Sequence, residues 1–190
     1  MVGNDIIDIV EAQKSSNWQR PRFLDKLFTH KEQHIILNSD NSFLMVWKLW
    51  SMKEAAYKLY TQLHPSRFYN PKGFECSDEE YFRVVRFQNF RCYVKSRITS
   101  QYIISEARLK FSELDSEYNV LSDFSKIKSR QIKVALLSKI ATHFKISKQD
   151  LNVVKTTFGV PLVYQNSKKL PVKISISHHG NYGAYAISYS

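Results

Sequence analysis

The stretch from residue 42 to residue 63 places large apolar side chains at helical spacing. Phe43, Trp47 and Trp50 recur every three or four residues, so they share one side of a helix. A polar turn precedes the stretch, Ser42 is the predicted cap, and a His-Pro pair ends it. A helix of this length with an apolar side needs a second layer of structure to cover it.

Segments on both sides of this helix alternate apolar and polar residues, which is typical of strands. Strands are predicted at 2–9, 80–87, 90–96, 101–109, 151–156, 173–178 and 182–188. Thr29 and Glu32 form a capping-box pattern that predicts a second helix over 30–38. Mixed helices and strands indicate the α+β class.

The second half of the chain carries its own helix. Ile132, Leu136 and Ile140 recur every four residues within a basic stretch, which predicts an amphipathic helix over 126–144. The polar segment 111–125 is interpreted as a linker. We therefore expect two lobes, residues 1–115 and residues 116–190.

A weak internal similarity supports two related lobes. Residues 98–107 read ITSQYIISEA, and residues 176–187 read ISHHGNYGAYAI. Both patterns indicate a strand, a turn containing a tyrosine, and a second strand. A β-hairpin of this kind is common, so a chance similarity stays open.

Charge and composition narrow the class of protein. Hydrophobic residues make up 43% of the chain, enough for a packed core, and no apolar run is long enough to span a membrane. Cys76 and Cys92, without a second pair, predict reduced thiols in a cytoplasmic protein. The net charge of +11 indicates a polyanionic or acidic partner, without choosing among such partners, and a generally solvated basic surface stays open as an alternative.

Three short segments carry groups suited to chemistry. Trp50, Glu54 and Lys58 are spaced four residues apart and therefore share one helix face. An acid one turn before a base also describes an ordinary exposed salt bridge, so spacing alone leaves both interpretations open.

The second segment is the strand that begins Gly3-Asn4-Asp5. Asp5 lies in an apolar strand, where a carboxylate must be solvated, paired or bound to a metal. Asp5 and Glu54 together offer hard oxygen ligands of the kind that Mg²⁺ prefers.

The third segment is Ser175-Ile176-Ser177-His178-His179-Gly180. Its hydroxyl and imidazole groups, together with the N–H groups of the turn, suit a phosphate oxyanion. A zinc half-site or a pair of surface histidines remains an alternative interpretation.

The three segments together resemble one family, the 4′-phosphopantetheinyl transferases. That family carries a Gly-x-Asp strand, a Trp-Ser-x-Lys-Glu-Ala-x-x-Lys helix and a Ser-His strand end. They stand here as GND at 3–5, WSMKEAAYK at 50–58 and ISISHHG at 174–180. Shorter similarities are LFTHKEQ at 27–33, PKGF at 71–74 and FGVPL at 158–162.

The resemblance implies an activity and its partners. Such enzymes use Mg²⁺ and move the 4′-phosphopantetheine arm of coenzyme A onto a serine of an acyl or peptidyl carrier protein. The chain is then expected to be a Mg²⁺-dependent transferase of the holo-acyl-carrier-protein synthase type. Its partners are an acidic carrier domain and coenzyme A, without nucleic acid or membrane.

The resemblance also assigns roles to residues. Asp5 and Glu54 are the implied metal ligands, and Glu54 and Lys58 the implied catalytic residues. The residues implied to bind coenzyme A are Lys53, Lys126, Lys128, Arg130, Ser177 and His178.

Segment order and two departures distinguish this chain within the family it resembles. The motifs follow the order of the small, trimeric synthase type, but the length approaches the larger, two-lobed type that activates peptide synthetases. We therefore expect a monomeric pseudo-dimer with its two lobes in swapped order. The larger type usually has Gly-Lys-Pro where Val160 stands here, and an acid where Ile7 stands. Asp8 is expected to face the other side of the strand and is not counted as a ligand.

Two other functions remain as alternatives. A nucleic-acid binder would fit the positive charge, but the aromatic residues fall at helical core spacing rather than among basic residues. A catalytically inactive relative that binds carrier protein would fit the motif order, although Asp5, Glu54 and Lys58 are all present.

Overall fold

A five-stranded sheet and a three-stranded sheet pack against each other at the centre of the molecule. A computed structural model of the chain describes residues 1–66, 68, 70–79, 82–114, 118–123 and 129–189. The first sheet holds β1 (Val2–Asp8), β2 (Glu75–Glu79), β3 (Phe82–Phe87), β4 (Phe90–Ile98) and β5 (Tyr102–Arg108), in the order β1-β5-β4-β3-β2. Its helices are α1 (Ile9–Ser15), α2 (Phe23–Leu27), α3 (His30–Leu37) and α4 (Ser42–Leu63).

The second half contributes two three-stranded sheets and one long helix. Its elements are β6 (Tyr118–Ser122), α5 (Ser129–Phe144), β7 (Leu151–Lys155), β8 (Pro161–Gln165), β9 (Lys168–Lys169), β10 (Val172–His179) and β11 (Tyr182–Tyr189). The sheet orders are β10-β11-β6 and β7-β8-β9. In each half the first strand pairs antiparallel with the last strand, and the last with the strand before it.

Neighbouring residues of the central strands supply three separate apolar clusters. Ile7 of β1 and Ile103 of β5 face α4, whereas Ile6 and Ile104 face the second sheet. Ala184 of β11 belongs to the cluster between the two sheets. Because successive side chains of a strand point to opposite faces, the order of layers is α4, first sheet, second sheet and α5. The predicted α+β class is confirmed.

Helix α4 begins and packs much as its sequence predicts. Its cap is Asn41, whose side chain accepts a hydrogen bond from the Leu44 N–H, so the prediction of Ser42 is wrong by one residue. Gly3 lies directly against the helix, because a Cβ there would stand 1.9 Å from the Ala55 carbonyl oxygen. This close approach brings strand β1 against α4 at Ala55 and Leu59, the residues that directly follow Glu54 and Lys58.

The other sequence predictions divide into confirmed and wrong ones. The capping box of Thr29 and Glu32 is present, and Ile132 and Leu136 of α5 are fully buried. The interpretation of 111–125 as a linker is wrong, because β6 lies within it and pairs with β11. Strands β2, β8 and β9 were not predicted. Cys76 and Cys92 are free and buried.

Among the residues that the structure describes, no helix has both the length and the apolar character needed to cross a membrane.

Candidate functional site

Asp5 and Lys58 meet where β1 crosses α4. The Lys58 Nζ lies 2.9 Å from the Asp5 Oδ1 and also donates to the Asn4 carbonyl at 3.0 Å. The Asp5 Oδ2 is buried and has no hydrogen-bond partner within the described part of the chain. A buried carboxylate oxygen without a partner is costly unless a ligand satisfies it.

Burial determines how the Asp5 carboxyl titrates. Burial raises the pKa of Asp5 above its ordinary value, and the positive charge of Lys58 lowers it in part. The ionised form of Asp5 is therefore stabilised by nearby positive charge, and a bound cation would stabilise it further.

Glu54 lies on the same helix face, four residues before Lys58 and therefore about 6 Å back along the helix axis. Its side chain is half-buried. Burial raises the pKa of Tyr57, and the negative charge of Glu54 raises it further. The Glu54 carboxylate therefore lies close enough to the Tyr57 hydroxyl to affect the pKa of Tyr57.

Side chains of β10 bond to strand β1, which lies at the edge of the first sheet. The Ser175 Oγ accepts from the Asn4 N–H at 2.9 Å, and the Ser177 Oγ accepts from the Asn4 Nδ2 at 2.9 Å. The His179 Nδ1 accepts from the Asp8 N–H at 3.0 Å. Because both serine oxygens act as acceptors here, each hydroxyl keeps its proton for donation to a ligand. We call this row of bonds the β1–β10 seam.

A groove of about 350 Å³ opens beside the seam. The first half contributes Asp5, Tyr57, Lys58, Thr61 and Gln62 to its lining, and β10 contributes 174–178. The other described lining residues are Ser129, Lys133, Lys155, Phe158, Gly159, Val160 and Pro161. Of the described lining residues, three are lysines and one is a carboxylate, so the groove suits an anion.

The structure brings together residues from distant parts of the sequence. Asp5, Lys58, Ser177 and His178 all line the groove. Glu54 does not line it and lies one helical turn beyond Lys58.

Of the three cations predicted at 126–130, the structure describes one. Arg130 is exposed and is not among the lining residues. Lys126 and Lys128 lie outside the described residues.

The structure corrects the prediction that Lys53 binds coenzyme A. Its ammonium group is fully buried, 2.8 Å from the Glu32 Oε2, and it also donates to the carbonyls of Pro71 and Phe74. The other Glu32 oxygen, Oε1, accepts from the Cys76 N–H at 2.8 Å. Lys53 is thus enclosed within the first half and is not positioned to bind a cofactor.

Sequence reasoning missed several residues of the site. Asn4, the variable position of the Gly-x-Asp motif, connects β1 to both serines of β10. The Gln62 Nε2 bonds to the carbonyls of Val2 and Ile174, one from each half. Gln62 follows Lys58 by four residues, and this helical spacing was the available signal.

The donor set fits a magnesium ion better than zinc. Within the described ranges, no group of three or more His, Cys, Asp or Glu side chains is placed to hold a metal. Mg²⁺ needs only one or two carboxylates when phosphate oxygens and waters complete its shell, and the free Asp5 Oδ2 offers such an oxygen. Asp8 is occupied elsewhere, because its oxygens accept from the N–H groups of Glu11 and Asn181.

Two solved structures show a distant similarity to this chain. The holo-[acyl-carrier-protein] synthase of Thermotoga maritima shares 11% identity at a TM-score of 0.42, over 84% of this chain and 83% of that one. The Helicobacter pylori synthase, solved in complex with coenzyme A, shares 12% identity at a TM-score of 0.26 over 100% of both chains. No curated protein matches the chain. A model of the 4′-phosphopantetheinyl transferase superfamily matches residues 1–107, more than half of the sequence, and the chain belongs to that superfamily.

Proposed function

We propose that this chain transfers the 4′-phosphopantetheine group of coenzyme A to a serine of an acyl or peptidyl carrier protein and releases 3′,5′-ADP. The main support is the groove, in which Asp5 and Lys58 meet Ser177 and His178 from the opposite end of the chain. Its excess of positive charge suits a ligand with a pyrophosphate and a phosphate monoester. Superfamily membership supports phosphopantetheinyl transfer as the reaction class.

Each residue of the site has a separate role in this proposal. In this proposal, Glu54 takes the proton from the carrier serine, directly or through one water. Lys58 neutralises charge on the pyrophosphate and on the departing nucleotide, while the hydroxyl of Ser177 and the imidazole of His178 donate to the 3′-phosphate. Because the reaction is displacement at phosphorus, positioning and charge neutralisation supply most of the rate.

Asp5 and Glu54 are the proposed ligands of Mg²⁺. The free Oδ2 of Asp5 supports this assignment, and Glu54 follows from its place on the same face as Lys58. When bound, the ion supplies positive charge at the pyrophosphate.

Intact-mass spectrometry tests the reaction directly. An apo acyl carrier protein and an apo peptidyl carrier protein are incubated separately with this protein, coenzyme A and Mg²⁺. We expect at least one carrier to gain the mass of phosphopantetheine, and EDTA to prevent the gain. Failure with both carriers, despite measurable binding of coenzyme A, would instead indicate a catalytically inactive relative.

Replacement of Asp5 by asparagine tests the metal assignment. The variant keeps the shape of the side chain but removes the charge, so we expect the Mg²⁺ concentration for half-maximal activity to rise more than about tenfold, since even outer-shell changes cost that much. The exposed Asp40→Asn exchange removes the same charge away from the groove and should not shift the titration. An unchanged Mg²⁺ titration for Asp5→Asn would contradict the assignment.

The two halves are proposed to act as a pseudo-dimer within one chain. Their shared strand order supports this, as do the groove residues that each half contributes. Since one chain then supplies the whole site, we expect sedimentation equilibrium to give the mass of a monomer that is active at nanomolar concentration. An obligate trimer would contradict the proposal.

A further inference from the structure

The turn between β10 and β11 bonds to a carboxylate of the other half of the chain. The two strands pair as far as His179 and Tyr182, so Gly180 and Asn181 form the turn. The Asn181 N–H donates to the Asp8 Oδ2 at 2.9 Å, and the Asp8 N–H donates to the His179 Nδ1 at 3.0 Å. Both the side chain and the backbone of Asp8 therefore contact this turn.

The same carboxylate begins helix α1. Asp8 is the N-cap residue, and its Oδ1 accepts from the Glu11 N–H at 3.1 Å. One oxygen of Asp8 thus bonds to α1 of the first half, and the other bonds to the turn of the second half. The residue is only 2% exposed. Because a buried carboxylate is costly without hydrogen-bond donors, both bonds are needed to keep this side chain in the interior.

Gly180 lies directly against the Asp8 carboxylate. Its φ of +54° is in the left-handed region, and a Cβ at this position would overlap the Asp8 Oδ2. A side chain at position 180 would therefore displace either the carboxylate or the turn. The turn can approach β1 this closely because residue 180 is glycine.

This turn directly follows the two residues of β10 that are proposed to bind coenzyme A. The bonds of the β1–β10 seam reach β1 at Asn4 and Asp8, which are four residues and therefore about 13 Å apart. Ser177 bonds at the first of these positions and His179 at the second. His178 thus lies between two attached residues, and Asp8 provides the attachment on the side of the turn.

We propose that Asp8 is a positioning residue for coenzyme A binding. Its buried carboxylate holds the β10–β11 turn against the first half and so keeps Ser177 and His178 in place beside the groove. The proposal rests on the function proposed above. Asp8 is not among the residues that line the groove, so it acts through the turn rather than by contact with the ligand. Loss of this attachment should weaken coenzyme A binding and leave Glu54 and Lys58 in place.

Two variants of Asp8 separate this role from the capping of α1. Asp8→Ala removes both oxygens, whereas Asp8→Ser keeps a good cap for the Glu11 N–H but offers no second oxygen to the Asn181 N–H. We expect Asp8→Ser to recover most of the melting temperature that Asp8→Ala loses. Both variants should raise the dissociation constant of coenzyme A, measured by calorimetry, about tenfold, because a hydrogen bond to a charged group contributes about that factor.

Gly180→Ala tests the same contact from the side of the turn. Its Cβ would overlap the Asp8 carboxylate, so we expect a similar rise in the dissociation constant of coenzyme A. The shorter side chain of Asp8→Ser makes room for that Cβ. The effect of Asp8→Ser combined with Gly180→Ala should therefore be smaller than the sum of the two single effects.

Steady-state transfer assays distinguish positioning from general loss of structure. For Asp8→Ser, KM for coenzyme A should rise as the dissociation constant does, whereas kcat should change less than about threefold. Asn41→Ala is the control, because it removes the cap of α4 more than three helical turns before Glu54. It should lower the melting temperature, as the loss of a cap does, but leave KM for coenzyme A unchanged.

The proposal and the function on which it rests fail in different ways. If the unaltered protein neither binds coenzyme A nor modifies a carrier, the function and this inference fall together. If it modifies a carrier while Asp8→Ser binds coenzyme A as tightly as the unaltered protein does, only the positioning role of Asp8 is wrong. An equal rise in KM for Asn41→Ala would also overturn that role.

Discussion

The Glu54→Gln variant is expected to transfer phosphopantetheine about 100- to 10,000-fold more slowly than the unaltered protein, the range that a general base contributes. Glutamine preserves the size of the side chain but neither accepts the serine proton nor supplies an anionic ligand. Because Glu54 is half-buried on α4, the exchange should leave the fold intact. Initial rates from intact-mass measurements give the change.

Two controls isolate the role of Glu54. The melting temperature should remain close to that of the unaltered protein, and so should the dissociation constant of coenzyme A measured without Mg²⁺. Glu75→Gln alters a half-buried glutamate of β2 that does not line the groove, and its rate should be near normal. Near-normal turnover by Glu54→Gln would show that Glu54 is not the general base.

The Lys53→Met variant is expected to lower the free energy of unfolding by about 3–5 kcal/mol, the typical cost of leaving a buried charge without its partner. Glu32 would lose its buried ion-pair partner, and the carbonyls of Pro71 and Phe74 would lose a donor. Urea denaturation measures the change. The exposed Lys31→Met exchange on α3 should change the free energy by less than about 0.5 kcal/mol.

A double variant separates a structural lysine from a ligand-binding one. Lys53→Met combined with Glu32→Gln removes both charges and should recover part of the lost stability. The folded fraction of Lys53→Met should still bind coenzyme A normally. Normal stability together with lost binding would restore the original interpretation that Lys53 contacts the cofactor.

Sequence patterns predicted the helices whose apolar or capping residues recur at regular spacing. The aromatic spacing within 42–63 predicted α4, and the capping pattern at Thr29 predicted the start of α3. Strand β6 was missed because it spans only five residues within a polar, acidic segment, and it forms through pairing with β11, far away in the sequence. Strand β2 carries three acids in five residues, which hides its alternation.

Only the site residues that stand out in a local sequence pattern were predicted. Asp5 was conspicuous as an acid in an apolar strand, and Lys58 shared a face with Glu54. Lys53 was included because it belongs to the motif, although one residue along a helix turns the side chain by about 100° away from Glu54. Lys133 and Lys155 were missed because the groove forms only when the turn after β7 folds beside α5.

The β1–β10 seam has a consequence for how the protein is made on the ribosome. Strand β1 is synthesised early, but the serines and histidine that bond to it belong to β10, which is synthesised late. A first sheet that forms before β10 is made has its β1 edge uncovered, and an uncovered edge is open to pairing with other nascent chains. The groove is completed only after translation of β10, so a chain truncated before that strand would lack a working site, however well its first half folds.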